Sequence, residues 1–237
     1  GPVLEFWNSE ILKFLNGPVW YARPYFQCGR RTEPESSIQS GNMEKKRNII
    51  VAVTGASGSL YARLLCRRLA EANSVGRIAL IVTRNGLAVS AYEDDPTWMD
   101  DPRFTRYDND DLFGAPASGS SSFDAMVVIP CSMGMAGRIA AGVSNDLASR
   151  AADVMLKERR RLILVPREAP LGTIHLRNLT TLSECGAVIC PAAPSFYPHP
   201  RNIEDLCGTI VERVLTLLDV EVPHYEWGVF HPEPDHQ

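Results

Sequence analysis

Asn48-Ile49-Ile50-Val51-Ala52-Val53-Thr54-Gly55-Ala56-Ser57-Gly58-Ser59 is the stretch that sets the fold. Ile49 to Val53 form a short β-branched apolar run, which predicts a strand buried on both faces. Thr54-Gly55 ends it, and the helical spacing of Leu60, Leu64, Leu65 and Leu69 follows at once. Strand, tight turn and helix in that order open a doubly wound α/β domain.

Similar runs recur at 78–82, 125–129, 162–165 and 187–189, separated by helical segments. This alternation predicts a three-layer α/β sandwich with a mostly parallel, Rossmann/flavodoxin-like sheet, whose ligand lies at the carboxyl ends of the strands. The stretch 92–123 is long for a connection and rich in Asp, Pro, Gly and Ser, so it reads as a functional or mobile loop.

The 237 residues fit one such domain with some extension. Residues 1–47 lack the α/β rhythm and are read as an N-terminal extension to a domain at 48–237. Their opening Gly-Pro is what removal of a tag leaves, and Met43 is the expected native start. A transit peptide is the rival, but Glu5, Glu10, Glu33 and Glu35 make the segment too acidic for one.

Apolar residues make up 45% and charged residues 22%, an ordinary globular balance. The net charge of −4 offers no basic stripe for a polyanion, so nucleic acid is not an expected partner. No apolar run approaches the roughly 20 residues of a membrane-spanning helix, so a membrane is not expected either. The six cysteines show neither C-x-x-C nor zinc-ligand spacing, which suits a reduced, cytoplasmic protein. Cys66, Cys185, Cys190 and Cys207 read as small buried hydrophobes. His175, His199, His224, His231 and His236 are not grouped for metal work, and no metal site is expected.

Chemistry is expected at four strand ends. The Thr54–Ser59 turn offers backbone N–H groups at a helix start, as an anion or flavin cradle does, although a tight turn alone explains its glycines at 55 and 58. Pro130-Cys131-Ser132-Met133-Gly134-Met135 is either a second ligand loop or an ordinary turn capped by Ser132. Pro166-Arg167-Glu168-Ala169-Pro170 sets an Arg and a Glu side by side after a core strand. Pro191 to Tyr197 closes the last strand, and a final helix carries Arg213.

Taken in order and spacing, VTGASGSLYA, PCSMGM, NDLASRAADVMLKERRRLILVPREAPLGTIHLRN, GAVICPAAPSFY and IEDLCGTIVERVL resemble the UbiX-type flavin prenyltransferases from Asn48 to about Val220. The resemblance implies an enzyme that joins a dimethylallyl group to N5 and C6 of reduced FMN without a metal, giving prenylated FMN for a UbiD-type decarboxylase. It implies FMN binding by Gly55, Ala56 and Ser57, by Thr83, by the loop Ser132, Met133, Gly134 and Met135, and by Arg150. Met135 stands where many relatives carry a Thr whose hydroxyl helps hold the FMN phosphate.

The same resemblance assigns dimethylallyl phosphate to Lys157, Arg167, Tyr197 and Arg213, with Trp227 as an aromatic that stabilises allylic cation character. Glu168 is the expected acid or base, Ser57 a positioning or relay group, and Glu93 a further catalytic candidate with a solvated loop carboxylate as its other reading. A homo-oligomer is implied as well. Two alternatives stand beside this one. An FMN-dependent cysteine decarboxylase of the same broader fold is the first, but the PASANT-like loop and the PxMNxxMW clamp are missing. A non-catalytic flavin-binding subunit is the second, and it would have no use for a second anion site.

Overall fold

The computed structural model describes residues 46–220. β1 (Arg47–Val53) leads through the Thr54–Ser59 turn into α1 (Ser59–Glu71), and the unit repeats with β2 (Val75–Val82) and α2 (Arg84–Glu93). β3 (Phe104–Asp108) and β4 (Ala125–Cys131) come next, followed by α3 (Met133–Ala140) and α4 (Leu147–Lys157). β5 (Arg161–Pro166), α5 (Thr173–Glu184), β6 (Val188–Ile189) and α6 (Ile203–Leu217) complete the described chain.

The six strands form one sheet in the order β3-β2-β1-β4-β5-β6, and every pairing is parallel. This is the Rossmann order, with its switch point between β1 and β4, where chain connections leave in opposite directions and open a crevice. Ile49, Ile50, Val51 and Ala52 are fully buried because helices cover both faces. One face packs Ile49 and Val51 against Leu65 and Leu69 of α1 and Val211 and Val214 of α6. The other packs Ile50 and Ala52 among Met135 of α3, Leu147 and Ala151 of α4 and Leu182 of α5.

Two expectations need correction. The stretch 92–123 is not only a loop, for it holds β3, paired with β2 from Ile78↔Phe104 to Val82↔Asp108. As an edge strand it leaves Thr105 and Arg106 in solvent, so it carries no apolar run. Cys185 is exposed because it caps the C-terminus of α5, while Cys66 and Cys207 are buried and Cys190 is partly so.

Candidate active site

Thr54 ties the two sides of the crevice together. It is 2% exposed, and its hydroxyl donates to the Pro130 carbonyl at 2.7 Å while accepting from the Ser132 N–H at 2.8 Å. The ends of β1 and β4 are thereby held at fixed separation. The sequence reading used Thr54 only as the end of the strand and gave its hydroxyl no role, although a hydroxyl residue directly after a buried strand was the available signal.

Beyond it, Ser132 caps α3 by accepting from the Met135 N–H at 3.3 Å. The Met133 and Met135 side chains run into the core, so both offer a ligand only their backbone. The Met135 thioether therefore does not stand in for a threonine hydroxyl. Gly134 is exposed, and a Cβ placed there would touch nothing within 4 Å. The first turn of α3 is open to an anion.

The first turn of α1 is different. Glu93, at the end of α2, accepts from the N–H groups of Gly58 at 2.8 Å and Ser59 at 3.0 Å, and from the Ser59 hydroxyl at 3.1 Å. A carboxylate of the chain itself thus occupies the helix N-terminus, where the macrodipole favours negative charge. Burial pushes the Glu93 carboxyl up, but hydrogen bonds from Ser57, Ser59 and Gly58 outweigh it and hold it below its ordinary range. Gly58 adopts φ 105°, which a side chain at that position would strain. A Cβ on Gly55 would lie 2.6 Å from the Asn85 Cβ, so that residue lets the turn close against α2. Thr83 caps α2, accepting from the Gly86 N–H at 3.0 Å. Ala56 is buried and Ser57 is exposed beside it.

β5 delivers Arg167 to the same edge. Its N–H donates to the Cys131 carbonyl at 3.2 Å, and its Nε donates to the Ser57 carbonyl at 3.1 Å. Glu168 is exposed and accepts from the Ala169 N–H. After β6, the Ser195 N–H donates to the Thr209 hydroxyl at 3.0 Å, fixing α6 against the loop that carries the exposed Tyr197. Arg213 lies one turn beyond Thr209, and burial pushes the Cys190 thiol up against the smaller opposing effect of the Arg213 charge.

One expected member stands elsewhere. Lys157 ends α4 and pairs with Glu158 beside Gly119. That corner belongs to the amino edge of the sheet, where Arg160 binds the Gly119 and Ser121 carbonyls and Asn48 binds Ser122. The six-residue β5 separates this edge from Arg167, a span of about 20 Å. Arg150, in the first turn of α4, donates through Nε to the Ala117 carbonyl at 3.2 Å and pairs with Asp153 at 2.7 Å. Trp227, His224, His231 and His236 lie outside the described residues, as do residues 1–45. Among the described residues, no group of three or more His, Cys, Asp or Glu is placed to hold a metal ion, and no helix is long and apolar enough to cross a membrane.

The Flavoprotein family profile matches residues 36–215. The flavin prenyltransferase UbiX of Methanocaldococcus jannaschii is 42% identical over 183 residues, 76% of this chain and 98% of that protein. The crystal structure of AnUbiX (PadA1) in complex with FMN and dimethylallyl pyrophosphate matches with a TM-score of 0.70 at 39% identity, over 77% of this chain and 100% of that one. A dodecameric FMN-dependent UbiX-like decarboxylase from Escherichia coli O157:H7 matches with a TM-score of 0.73 at 36% identity, over 77% and 100%. This chain belongs to the Flavoprotein family and, within it, to the UbiX flavin prenyltransferases.

Proposed function

We propose that this protein is a flavin prenyltransferase that transfers a dimethylallyl group from a prenyl phosphate to reduced FMN, at N5 and then C6, yielding prenylated FMN. The observation that carries the reading is the meeting of Arg167 and Ser57 at the switch-point crevice, in a chain 42% identical to a flavin prenyltransferase. The crevice fits a flavin: small residues line the turn after β1, and the open turn at Gly134 suits the ribityl phosphate.

Reduced FMN supplies the nucleophile, and the prenyl phosphate supplies the allylic carbon. The chain's task is to hold them in line and to neutralise the phosphate as it departs. Arg167 spends Nε on Ser57, which leaves its two terminal nitrogens as a fork for phosphate oxygens. Arg213 and Tyr197, brought to the neighbouring loop by the Ser195 to Thr209 contact, supply a second cation and a phenolic donor. Glu168, exposed next to Arg167, carries the proton during ring closure. Glu93 keeps the β1 turn in shape, and through it the position of Ser57.

Lys157 belongs to this chemistry through a neighbouring subunit. The chain assembles as a homo-oligomer, as its dodecameric UbiX-like relative does, and one copy's Lys157, at the opposite edge of the sheet from Arg167, completes another copy's phosphate site. Product passes to a UbiD-type decarboxylase, and the free thiols of Cys66, Cys131, Cys185, Cys190 and Cys207 suit the cytoplasm. The test is phosphate release from dimethylallyl phosphate. Release that depends on reduced FMN and persists in excess chelator supports the reading. Release without flavin, or only after magnesium is restored, refutes it.

A further inference from the structure

The segment from Cys190 to Ser195 joins β6 to the loop that carries Tyr197, and its backbone has few donors, since Pro191 and Pro194 have no N–H. Cys190 donates to the Leu164 carbonyl at 2.8 Å and Ala192 to the Pro166 carbonyl at 3.0 Å. The segment is thereby fastened along β5 as far as the residue before Arg167. The Ala193 N–H turns back to the Pro191 carbonyl at 2.7 Å. Of these four donors, Ser195 alone reaches a side chain among the described residues: the Thr209 hydroxyl of α6, at 3.0 Å.

That hydroxyl is committed in direction. It donates to the Leu206 carbonyl at 2.8 Å, so it meets the Ser195 N–H with a lone pair. Thr209 and Arg213 are four residues apart on α6 and share one face of it. Arg213 lies close enough to Cys190 for its charge to oppose the effect of burial on that thiol. The same helix face therefore runs beside both ends of the segment, and one hydroxyl fixes the approach of the Tyr197 loop to the helix that carries Arg213. Without its acceptor the partly buried Ser195 N–H would have to draw in water or shift the loop.

We propose that Thr209 is a positioning residue for the prenyl phosphate: through Ser195 it holds Tyr197 and Arg213 at the spacing that grips one phosphate group, without touching the substrate itself. This deepens the flavin prenyltransferase reading given above and rests on it. The loops after β1 and β4 are held to each other by Thr54, so FMN affinity stands apart from Thr209.

Calorimetric titration of dimethylallyl phosphate into the FMN-loaded protein tests it, beside fluorescence titration of FMN. Thr209→Val keeps the shape and removes the hydroxyl, and Thr209→Ala removes it in a better helix former. Each should weaken prenyl phosphate binding about tenfold, the scale of a lost hydrogen bond whose donor is left unpaired, with FMN affinity and circular dichroism unchanged. Thr209→Ser, which keeps the hydroxyl, should restore binding. In an Arg213→Ala background Thr209→Val should cost less than it does alone, because part of what it positions is gone. Wild-type binding in Thr209→Val and Thr209→Ala, a loss in Thr209→Ser as large as in Thr209→Val, full additivity with Arg213→Ala, or an equal loss of FMN affinity overturns the proposal. A wild type that binds no dimethylallyl phosphate overturns it together with the enzymatic reading. A wild type that binds but transfers no prenyl group counts against the enzymatic reading alone.

Discussion

The Arg167 Nε lies 3.1 Å from the Ser57 carbonyl, joining the end of β5 to the turn after β1 across 110 positions of sequence. One guanidinium thus reports on both ligand loops. Its fork geometry is what lysine lacks, since an ammonium cannot hold the carbonyl and grip a phosphate bidentately. Arg167→Lys is predicted to lower kcat/KM for the prenyl phosphate by about tenfold or more. Steady-state kinetics at saturating reduced FMN measure this, and wild-type kinetics would remove Arg167 from the phosphate site.

Substitution of Arg213 tests whether the FMN and prenyl phosphate sites are separate. Arg213→Ala is predicted to leave FMN affinity nearly unchanged and to raise the prenyl phosphate requirement about ten- to a hundredfold, the usual loss for one charge-assisted contact. Fluorescence titration of FMN beside initial rates makes the comparison. Loss of FMN with normal alkylation after flavin is resupplied would assign Arg213 to the cofactor site.

Glu93 makes stability depend on pH. Its folded carboxyl lies below the ordinary 4.5, because hydrogen bonds to the turn outweigh the opposing effect of burial. The folded state therefore binds that proton less readily than the unfolded chain. The stabilisation is fully present above the unfolded value and is lost as pH falls through the folded one. Glu93→Gln is predicted to cost about 1 kcal/mol at neutral pH, the scale of a lost cap, or about 2–4 °C in Tm. Its melting curve should converge with the wild type in acid. A gap that persists unchanged in acid would contradict this.

Lys157 provides a test of shared sites. Lys157→Ala and Arg167→Ala are each predicted to be strongly impaired alone, and to recover partial activity when unfolded together and reassembled. Mixed oligomers would then contain sites with both intact residues. No recovery on mixing would place Lys157 outside the neighbour's phosphate site.

The parallel sheet was legible because β1, β2, β4 and β5 are buried on both faces, and such strands read as unbroken apolar runs. β3 was hidden, since an edge strand with Thr105 and Arg106 in solvent looks like the polar loop around it. At the site, the Ser57 turn, the Ser132 cap and Arg167 could be placed because each directly follows a strand. What could not be read was direction. Met135 turns inward, Glu93 reaches back to cap α1, and Lys157 stands a strand's length from Arg167. Those outcomes depend on how elements pack after they form. Thr54 escaped for the same reason: its hydroxyl matters only once β4 lies beside β1.

The most direct measurement is a mass spectrum of the flavin released after anaerobic incubation of the protein with reduced FMN and dimethylallyl phosphate or its diphosphate. The account predicts a flavin heavier than FMN by one five-carbon prenyl unit, formed by the wild type and strongly reduced in Arg213→Ala. Unmodified FMN as the only flavin recovered from the wild type with either donor would contradict it.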